Sequence, residues 1–449
     1  MNVIGLDIGT TSISAIVLET DSGEVLETIT KSNNCQVENS ANSEQIQDAK
    51  KILDIVKDVV KYFENKYAPI SSIGITGQMH GIVYVNGKGE AVSPLYTWQD
   101  VSGELIYKNN RSYCDHIFDK TGYRLSSGFG LVTHFFHSAN DSVPIDSVTF
   151  CTIGDYVAMQ LAGKVTPKMH ISNVASLGLY DFRIKDFDKK AIELLKINSE
   201  FVPNSVRGYK LLGETKDGVR VSVAIGDNQA SFLGSVKSRH SALINIGTGG
   251  QISCLSSELI VSEKFEIRPY LEEDFLMVAS SLCGGRAYAN LEKLFRSVLE
   301  MTGIQGESLY NRMGSLMKDF DLRQNTLEVN TLFCGTRANS SERGSINNIG
   351  MDNLTPQHLI AGFLKGIVME LYPAFSSFSE HVKIEDIVCS GNAVRHNKAL
   401  LDLIAEVFKL PVSVPLHSEE AAYGAALYAQ RSVNLPLAKL SSTNSLNQP

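Results

Sequence analysis

The sequence predicts an α/β protein made of two domains that share one design. The chain has 449 residues, more than a single hydrophobic core commonly serves. Its opening stretch, VIGLDIGTTSISAIV, has a counterpart in the second half, ALINIGTGGQISCL. After each copy, strand-like apolar runs alternate with segments of helical periodicity. The repeat divides the chain into residues 1–238 and 239–449.

The first half is predicted to begin with a strand at residues 2–8, a Gly-Thr-Thr turn and a second strand. A helix is expected at about 43–67, where apolar residues recur at helical spacing and Ser43 is a suitable N-cap. SSIGITGQ is typical of a buried strand. RVSVAIGDNQASFLG is typical of a strand, a Gly-Asp turn and the start of a helix.

The second half is predicted to repeat the strand meander and to continue with helices at about 286–302 and 356–380. DIVCSGNAV is typical of a strand leading into a helix that runs through Phe408. The chain then closes with a short strand and an Ala-rich helix that contains EEAAYGAA. This order indicates an α/β architecture present twice.

Composition and charge exclude several classes of protein. The net charge of −8 and the lack of a Lys/Arg-rich run argue against nucleic-acid binding. No apolar run of membrane-spanning length is recognised, and the chain start lacks the basic and apolar regions of a signal peptide. The seven cysteines are scattered, without CxxC or metal-ligand spacing. We therefore expect a cytoplasmic protein with no membrane or nucleic-acid partner.

The repeated turn is suited to binding phosphate. A strand that ends in Gly-Thr-Thr or Gly-Thr-Gly presents backbone N–H groups where no side chain blocks an anion. Among the positions at which the two copies differ, one changes the charge: it is Asp7 in the first copy and Asn245 in the second. Asp7 is suited to hold a hydrated Mg²⁺, whereas a second carboxylate would repel the phosphates. The alternative is that both side chains only satisfy backbone groups of their own turns.

Five motifs in order resemble the FGGY family of carbohydrate kinases. They are GLDIGTTS, GITGQMHG, IGDNQAS, the repeated NIGTGG and the late EEAAYGAA. The resemblance covers nearly the whole chain. It implies two RNase-H-like domains of the actin/hexokinase type, with Mg-ATP and the sugar in the cleft between the domains. The sugar is expected mainly on the first domain.

The resemblance assigns roles to residues of this chain. Asp227 is the expected general base, although an Asp at this position also suits a helix N-cap. The expected sugar contacts are Gln78, Met79, His80, Trp98, Asp100, Asp227 and Asn228. The expected phosphate loops are Gly9, Thr10, Thr11 and Ser12 in the first half, and Gly247, Thr248 and Gly249 in the second. Gly391 and Asn392 are expected at the adenosine, and Asp7 at Mg²⁺ through water.

Two of the sugar-contact assignments have structural alternatives. His80 is also suited to a protein core, and Trp98, the single tryptophan, is either a sugar platform or a core residue with a surface Asp beside it. The segment 420–425 is interpreted as structural, packing the last helix against the strand that precedes Gly391.

Within the family, the motifs resemble the ketose kinases more than glycerol kinase. TWQD, TGYRLSSGFGLVTHFF and VASSLCGGRAYANLEKLF are most similar to the kinases that phosphorylate the terminal primary hydroxyl of sedoheptulose. A family signature usually has a Lys and a Trp where this chain has SGFGLVTHFF. Xylulose is the alternative substrate, and a non-catalytic actin-like nucleotide sensor is a distant alternative. The chain is expected to act as a monomer or a homodimer.

Overall fold

The computed structural model describes residues 1–38, 43–318, 320–324, 327–336, 339, 341–395 and 397–435. The helices within this part are α1 (Ala49–Tyr67), α2 (Tyr113–Thr121), α3 (Gly130–Ala139), α4 (Ile153–Leu161), α5 (Ile171–Leu177), α6 (Lys189–Leu194), α7 (Asp227–Ser235), α8 (Gly284–Glu300), α9 (Tyr310–Leu316), α10 (Pro356–Met369), α11 (Tyr372–Ser379), α12 (Asn392–Arg395), α13 (Lys398–Phe408) and α14 (Glu420–Ser432).

The strands are mostly short. They are β1 (Asn2–Ile8), β2 (Ser12–Glu19), β3 (Val25–Ser32), β4 (Ile46–Gln47), β5 (Ile70–Gly77), β6 (Val83–Asn86), β7 (Leu95–Tyr96), β8 (Ile106–Lys108), β9 (Arg111–Ser112), β10 (Ser147–Cys151), β11 (Lys168–His170), β12 (Tyr180–Asp181), β13 (Asp186–Phe187), β14 (Asn204–Val206), β15 (Leu211–Glu214), β16 (Arg220–Ser222), β17 (Ile225–Gly226), β18 (Ser241–Ile246), β19 (Gly250–Ser256), β20 (Glu266–Pro269), β21 (Phe275–Ser281), β22 (Glu328–Asn330), β23 (Ser345–Asn347), β24 (Asp386–Ser390) and β25 (Val412–Ser413).

Contacts divide the chain into two compact units. Unit 1 contains Met1–Gly234 together with Arg268–Asp274 and Glu419–Ser441, and unit 2 contains most of the remainder. The first segment of unit 1 ends at Gly234, close to the predicted division at 238/239. The prediction placed α14 and the segment 268–274 in the second domain, whereas the contacts place both in unit 1.

The main sheet of unit 1 has the order β15-β16-β5-β1-β2-β3, with β17 also paired to β5. β1 runs antiparallel to β2 and parallel to β5, and β5 runs parallel to β16 and β17. β1 is almost entirely buried, as expected for a central strand covered on both faces. α1 packs beside it with a continuous apolar face.

The main sheet of unit 2 repeats this plan. Its order is β20-β21-β19-β18-β24-β25, and its central strand β18 runs antiparallel to β19 and parallel to β24. β18 therefore corresponds to β1. The penultimate residue is Asp7 in β1 and Asn245 in β18. The internal repeat predicted from the sequence is confirmed.

α14 packs on the central strands of unit 1, which corrects the predicted packing against the strand before Gly391. A Cβ atom on Gly5 of β1 would lie 2.0 Å from the Ala422 carbonyl oxygen, and one on Gly74 of β5 only 1.8 Å from that of Ala425. Such approach is open only to glycine, because any side chain would collide with the helix backbone. Two glycines in two strands thus seat α14 on unit 1.

Two predicted helices have different bounds in the structure. The helix expected at 43–67 begins only at Ala49, because Asp48 is its N-cap and accepts hydrogen bonds from the amides of Lys50 and Lys51, each at 3.0 Å. The helix expected at 356–380 is α10 followed by α11.

Within the described residues, one helical segment, Pro356–Ser379, is long and apolar enough by composition to cross a membrane. This segment differs from the prediction that no apolar run of the chain has membrane-spanning length. In the structure much of it is buried, and Ile360, Leu364, Ile367 and Phe378 pack in the core of unit 2. Its apolar character therefore serves that core.

Candidate active site

Three parallel strands of unit 1 end at the same level of the sheet. The register pairs Ile8 of β1 with Gly77 of β5, and Gly77 in turn with Gly226 of β17. The residues that follow are Gly9, Gln78 and Asp227, so all three leave the same sheet edge. Neighbouring strands lie about 4.8 Å apart. The carboxyl ends of parallel strands are where α/β proteins bind ligands, and the predicted base, sugar motif and first loop meet there.

Asp227 begins α7 and is held between two neighbours. One carboxylate oxygen accepts a hydrogen bond from the Asn228 side-chain amide at 2.7 Å. Among the described residues, no bond from the amides of Gln229 or Ala230 reaches its carboxylate, so it does not act as a side-chain cap for α7. Burial raises the pKa of Asp227, while the positive charge of Arg268 and the bonds from Asn228 oppose this rise. A raised pKa makes the carboxylate a stronger base.

The positive charge of Arg268 acts on Asp227 because hydrogen bonds hold the segment 268–274 in unit 1. The Pro269 carbonyl accepts from the Gln229 side chain at 2.8 Å. The Leu271 carbonyl accepts from the Gly208 amide at 2.7 Å and lies 3.1 Å from His170 Nε2. None of these groups was predicted, since they come from distant parts of the chain.

The sugar motif forms a strained turn centred on His80. Its φ angle is +73°, and the Gly81 amide donates to the Met79 carbonyl at 2.9 Å, which makes a γ-turn. The Ser176 carbonyl lies 2.7 Å from His80 Nδ1, which must carry the proton because a carbonyl only accepts. In the neutral ring, Nε2 is then an acceptor. His80 is half-buried and so is not a fully enclosed core residue. Its positive φ is of the kind concentrated at functional sites.

Met79 lies behind Asp227 and Asn228. The Asn228 amide nitrogen is 3.9 Å from the Met79 sulfur, and a Cβ on Gly226 would come within 2.8 Å of that sulfur. A side chain at position 226 would therefore have to displace the ends of the Met79 and Gln229 side chains. The contact joins the predicted base and the predicted sugar residues in one site.

Trp98 is not a core residue, because 48% of its surface is exposed. Its indole Nε1 donates a hydrogen bond to Thr10 Oγ1 at 3.0 Å. Asp100, two residues on, is 1% exposed. One of its oxygens accepts from the Ser102 amide at 2.9 Å, and the other has no hydrogen-bond partner among the described residues. Burial raises the pKa of Asp100, which the bonds from Ser102 partly offset.

The first predicted phosphate loop has its carbonyls fixed and its amides unoccupied. The carbonyls of Gly9 and Thr11 accept from the side chain and the amide of Asn33, at 2.8 and 2.9 Å. The Thr10 carbonyl accepts from Gln47 Nε2 at 2.8 Å. Within the part of the chain that the structure describes, the amides of residues 9–11 have no acceptor. Consecutive N–H groups of this kind form an anion-binding concavity.

The second predicted loop, in unit 2, has the same property. The carbonyls of Gly247 and Thr248 accept from the Gly285 and Arg286 amides at 2.8 and 3.0 Å, in the first turn of α8. The amides of residues 247–249 have no acceptor among the described residues. The two loops are therefore alike in hydrogen bonding as well as in sequence.

Two glycines in CGGRAYAN allow α8 to approach this loop. A Cβ on Gly284 would lie 2.4 Å from the Gly249 carbonyl, and one on Gly285 would lie 2.5 Å from the Gly247 oxygen. The two glycines were not predicted to have a role. The Gly-Gly pair at the start of an amphipathic helix was the available signal.

Gly391 and Asn392 lie beside the second loop. β24 pairs in parallel with β18, so that Ser390 is opposite Asn245. Gly391 has a φ of +94°, and a Cβ there would lie 2.5 Å from the Ile246 carbonyl oxygen. Asn392, exposed at the start of α12, is therefore next to the second loop. This placement agrees with the predicted adenosine segment without identifying a ligand.

Asp7 lies in a region of concentrated negative charge. Burial, together with the carboxylates of Asp227 and Glu419, raises the pKa of Asp7 to about 7. Glu419 was not predicted and directly precedes α14. In the described part of the chain, no group of three or more His, Cys, Asp or Glu side chains is placed to hold a metal ion directly. Carboxylate oxygens are nevertheless suitable for Mg²⁺ that keeps its water shell.

Comparison with known proteins identifies the family. The sequence models of the N-terminal and C-terminal domains of the FGGY family of carbohydrate kinases match residues 2–234 and 242–433. Because these two matches cover most of the sequence, the chain belongs to the FGGY family of carbohydrate kinases. Kinases of this family are ATP-dependent.

Relatives resemble the chain over nearly its whole length. Sedoheptulokinase of Mus musculus is 26% identical, and the match covers 94% of this chain and 96% of the relative. Xylulose kinase of Staphylococcus xylosus is 22% identical and covers 95% and 90%. A xyloylose kinase structure from Brucella ovis has a TM-score of 0.84 at 17% identity over 99% and 94% of the two chains. Plasmodium falciparum glycerol kinase with ADP gives 0.79 at 16% over 96% and 89%.

Proposed function

We propose that the protein phosphorylates sedoheptulose with Mg-ATP at its terminal primary hydroxyl and releases sedoheptulose 7-phosphate and ADP. The observation that carries the proposal is the Met79–Asn228–Asp227 contact, which places a basic carboxylate beside the sugar motif. The full-length similarity to sedoheptulokinase supports this ketose over others.

The chemical step needs a proton acceptor at the sugar hydroxyl. Asp227 removes the hydroxyl proton as the oxygen attacks the γ-phosphorus, and the bond to the β–γ bridging oxygen breaks. Asn228 orients the carboxylate. His80 Nε2 and the unpartnered oxygen of Asp100 accept hydrogen bonds from other sugar hydroxyls, and the exposed indole of Trp98 packs on a C–H face.

Each unit has its own candidate groups for binding the nucleotide. In unit 1, the amides of the first loop and the Thr11 and Ser12 side chains bind phosphate oxygens. In unit 2, the amides of Gly247, Thr248 and Gly249 do the same, and Gly391 and Asn392 line the adenosine. Asp7 would hold Mg²⁺ through water, where the ion offsets charge on the transferring phosphoryl group. We place this reaction in the cytoplasm.

A coupled ATPase assay with sedoheptulose, xylulose, ribulose and glycerol tests the proposal. We expect the highest kcat/KM with sedoheptulose, with the Asp227→Asn variant as the blank for sugar-independent ATP hydrolysis. A higher kcat/KM with xylulose would make the protein a xylulokinase. ATP binding without turnover of any sugar would favour the non-catalytic sensor.

A further inference from the structure

The side chain of Thr10 faces the sugar residues, although Thr10 belongs to the first phosphate loop. Its oxygen lies 3.0 Å from the Trp98 indole nitrogen and 3.4 Å from Gln78 Oε1. An indole N–H only donates, so the Thr10 oxygen accepts from it and has its own proton left for Gln78. Both hydrogen-bonding directions of the hydroxyl are thus used by residues of the sugar site.

The contact between Thr10 and Gln78 belongs to a closed ring of hydrogen bonds that also includes Gln47. Gln78 Nε2 donates to Gln47 Oε1 at 2.9 Å, and Gln47 Nε2 donates to the Thr10 carbonyl at 2.8 Å. Gln47 and Gln78 are buried, with 1% and 5% of their surface exposed. The ring therefore fixes Thr10 through both its hydroxyl and its backbone.

The Trp98 backbone is closely packed, whereas its indole ring is less restrained. The Trp98 backbone is held closely, because a Cβ on Gly128 would lie 1.9 Å from the Trp98 carbonyl oxygen. The ring itself is nearly half exposed. Its hydrogen bond to Thr10 restricts rotation about the side-chain bonds, and so sets the angle of the ring face.

We propose that Thr10 is a positioning residue of the sugar site. Its hydroxyl orients the Trp98 indole before the sugar arrives, and its amide remains free for phosphate. This rests on the proposed function, in which Trp98 contacts the ketose. Because the same residue lies on the phosphate loop, the sugar platform and that loop are joined by a side-chain hydrogen bond.

The test compares Thr10→Val, which removes the hydroxyl at nearly constant shape, with Thr10→Ser, which keeps it. Trp98 is the single tryptophan, so tryptophan fluorescence reports on this indole alone. Thr10→Val should shift the emission maximum of the sugar-free protein and raise the sugar Kd about 3- to 10-fold, the cost of ordering one side chain on binding. Thr10→Ser should restore both, and the ATP Kd should change less than twofold in either.

Thr11→Val is the matched control, since Thr11 is the exposed neighbour in the same loop. It should weaken ATP binding and leave the tryptophan emission unchanged. A double-mutant cycle with Trp98→Phe completes the design. In the Trp98→Phe background, Thr10→Val should not raise the sugar Kd further, because no indole N–H remains to be held.

Wild-type emission and sugar affinity in Thr10→Val, together with weaker ATP binding, would overturn the proposal and make the hydroxyl a phosphate ligand. If Thr10→Val does not fold, Thr10→Ala gives the same comparison with Thr10→Ser. Failure of the proposed function can be distinguished from failure of the Thr10 proposal. In that case the wild type binds no ketose, while the emission of the sugar-free variants still reports whether the bond to Trp98 exists.

Discussion

Asp227 owes its chemistry to groups contributed by separate parts of unit 1. Burial raises its pKa, Arg268 opposes that rise, and Asn228 holds one oxygen at 2.7 Å. A carboxylate with this balance is more basic than one in water. Asn228 also contacts the Met79 sulfur, which connects Asp227 to the sugar motif through Asn228.

Replacing Asp227 with Asn should therefore remove turnover and spare nucleotide binding. The amide is nearly isosteric but cannot accept the proton, so we expect kcat to fall about 10²- to 10⁴-fold. ATP binding by calorimetry and the melting temperature should stay close to wild type. Asp217→Asn, an exposed carboxylate in a turn of the same unit, is the control and should be fully active. More than half the wild-type kcat in Asp227→Asn would refute the role of general base.

Asp155 is a second buried carboxylate, outside the proposed chemistry. It accepts hydrogen bonds from Thr152 Oγ1 at 2.6 Å and from the Asn173 amide at 3.2 Å, and its other oxygen has no partner in the described chain. Burial raises the pKa of Asp155 to about 7, despite these bonds. Since the unfolded value is near 3.8, Asp155 favours the folded state below about pH 4, and this contribution is lost as pH rises through 7.

Asp155→Asn should remove this pH dependence. The free energy of unfolding of the variant, minus that of the wild type, should rise between pH 4 and 7, by at most about 4 kcal/mol. A difference is needed because burial lowers the pKa values of His134, His137 and His170 to about 4, and these act in the opposite direction. Urea unfolding at several pH values measures it. A difference that does not change with pH would contradict the raised pKa.

At the scale of elements, α5 supports two parts of the site at once. Ser172 Oγ accepts from the Gly226 amide at 3.0 Å, directly before Asp227. One turn later, Ser176 accepts from the His80 amide at 3.2 Å and its carbonyl accepts from the His80 ring. One short helix thus fixes the spacing between the proposed base and the proposed sugar ligand.

The attachment of α14 is the other feature at this scale. Gly74→Ala would place a methyl group 1.8 Å from the Ala425 carbonyl oxygen and 3.0 Å from the Ala429 Cβ. We expect a loss of about 1–3 kcal/mol or more in the free energy of unfolding, as for overpacking elsewhere. Gly87→Ala is the matched control, because a Cβ there meets nothing within 4 Å. Equal stability of the two variants in urea would contradict the packing of α14 on β5.

For the whole molecule, duplication with one charged difference is the main feature. Both units have a central strand with an antiparallel and a parallel neighbour, and a loop with unoccupied amides. Only the first has a carboxylate at the strand end, Asp7, where the second has Asn245. The repeat gives two candidate phosphate loops without doubling the negative charge.

Asn245→Asp tests that interpretation. A second carboxylate at the strand end should repel the nucleotide and weaken ATP binding about 10-fold or more, a cost of roughly 1.4 kcal/mol. The effect should diminish with added salt. Asn347→Asp, an exposed position in β23 of the same unit, has the same change in charge and should bind ATP normally. Unchanged affinity in Asn245→Asp would show that Asn245 serves only its own turn.

The sequence by itself determined the two-domain α/β class, the internal repeat and the motif positions, because each depends on local chemistry. Glycine and threonine at a strand end, or Gly-Asp before a helix, have the same meaning wherever the chain folds. Local reading was weaker where signals compete. Ser43 and Asp48 are both good N-caps, and only the hydrogen bonds of α1 distinguish them.

The tertiary structure alone decided which distant residues share the site. α14 packs in unit 1 because glycines in β1 and β5 allow its backbone to approach closely. The pattern of apolar residues within α14 does not predict which strands it packs against. Likewise, Thr10 sits in a phosphate-loop motif, yet its hydroxyl faces Trp98 and Gln78. A side chain's partner depends on close contacts between segments far apart in sequence, and these form only once unit 1 has folded.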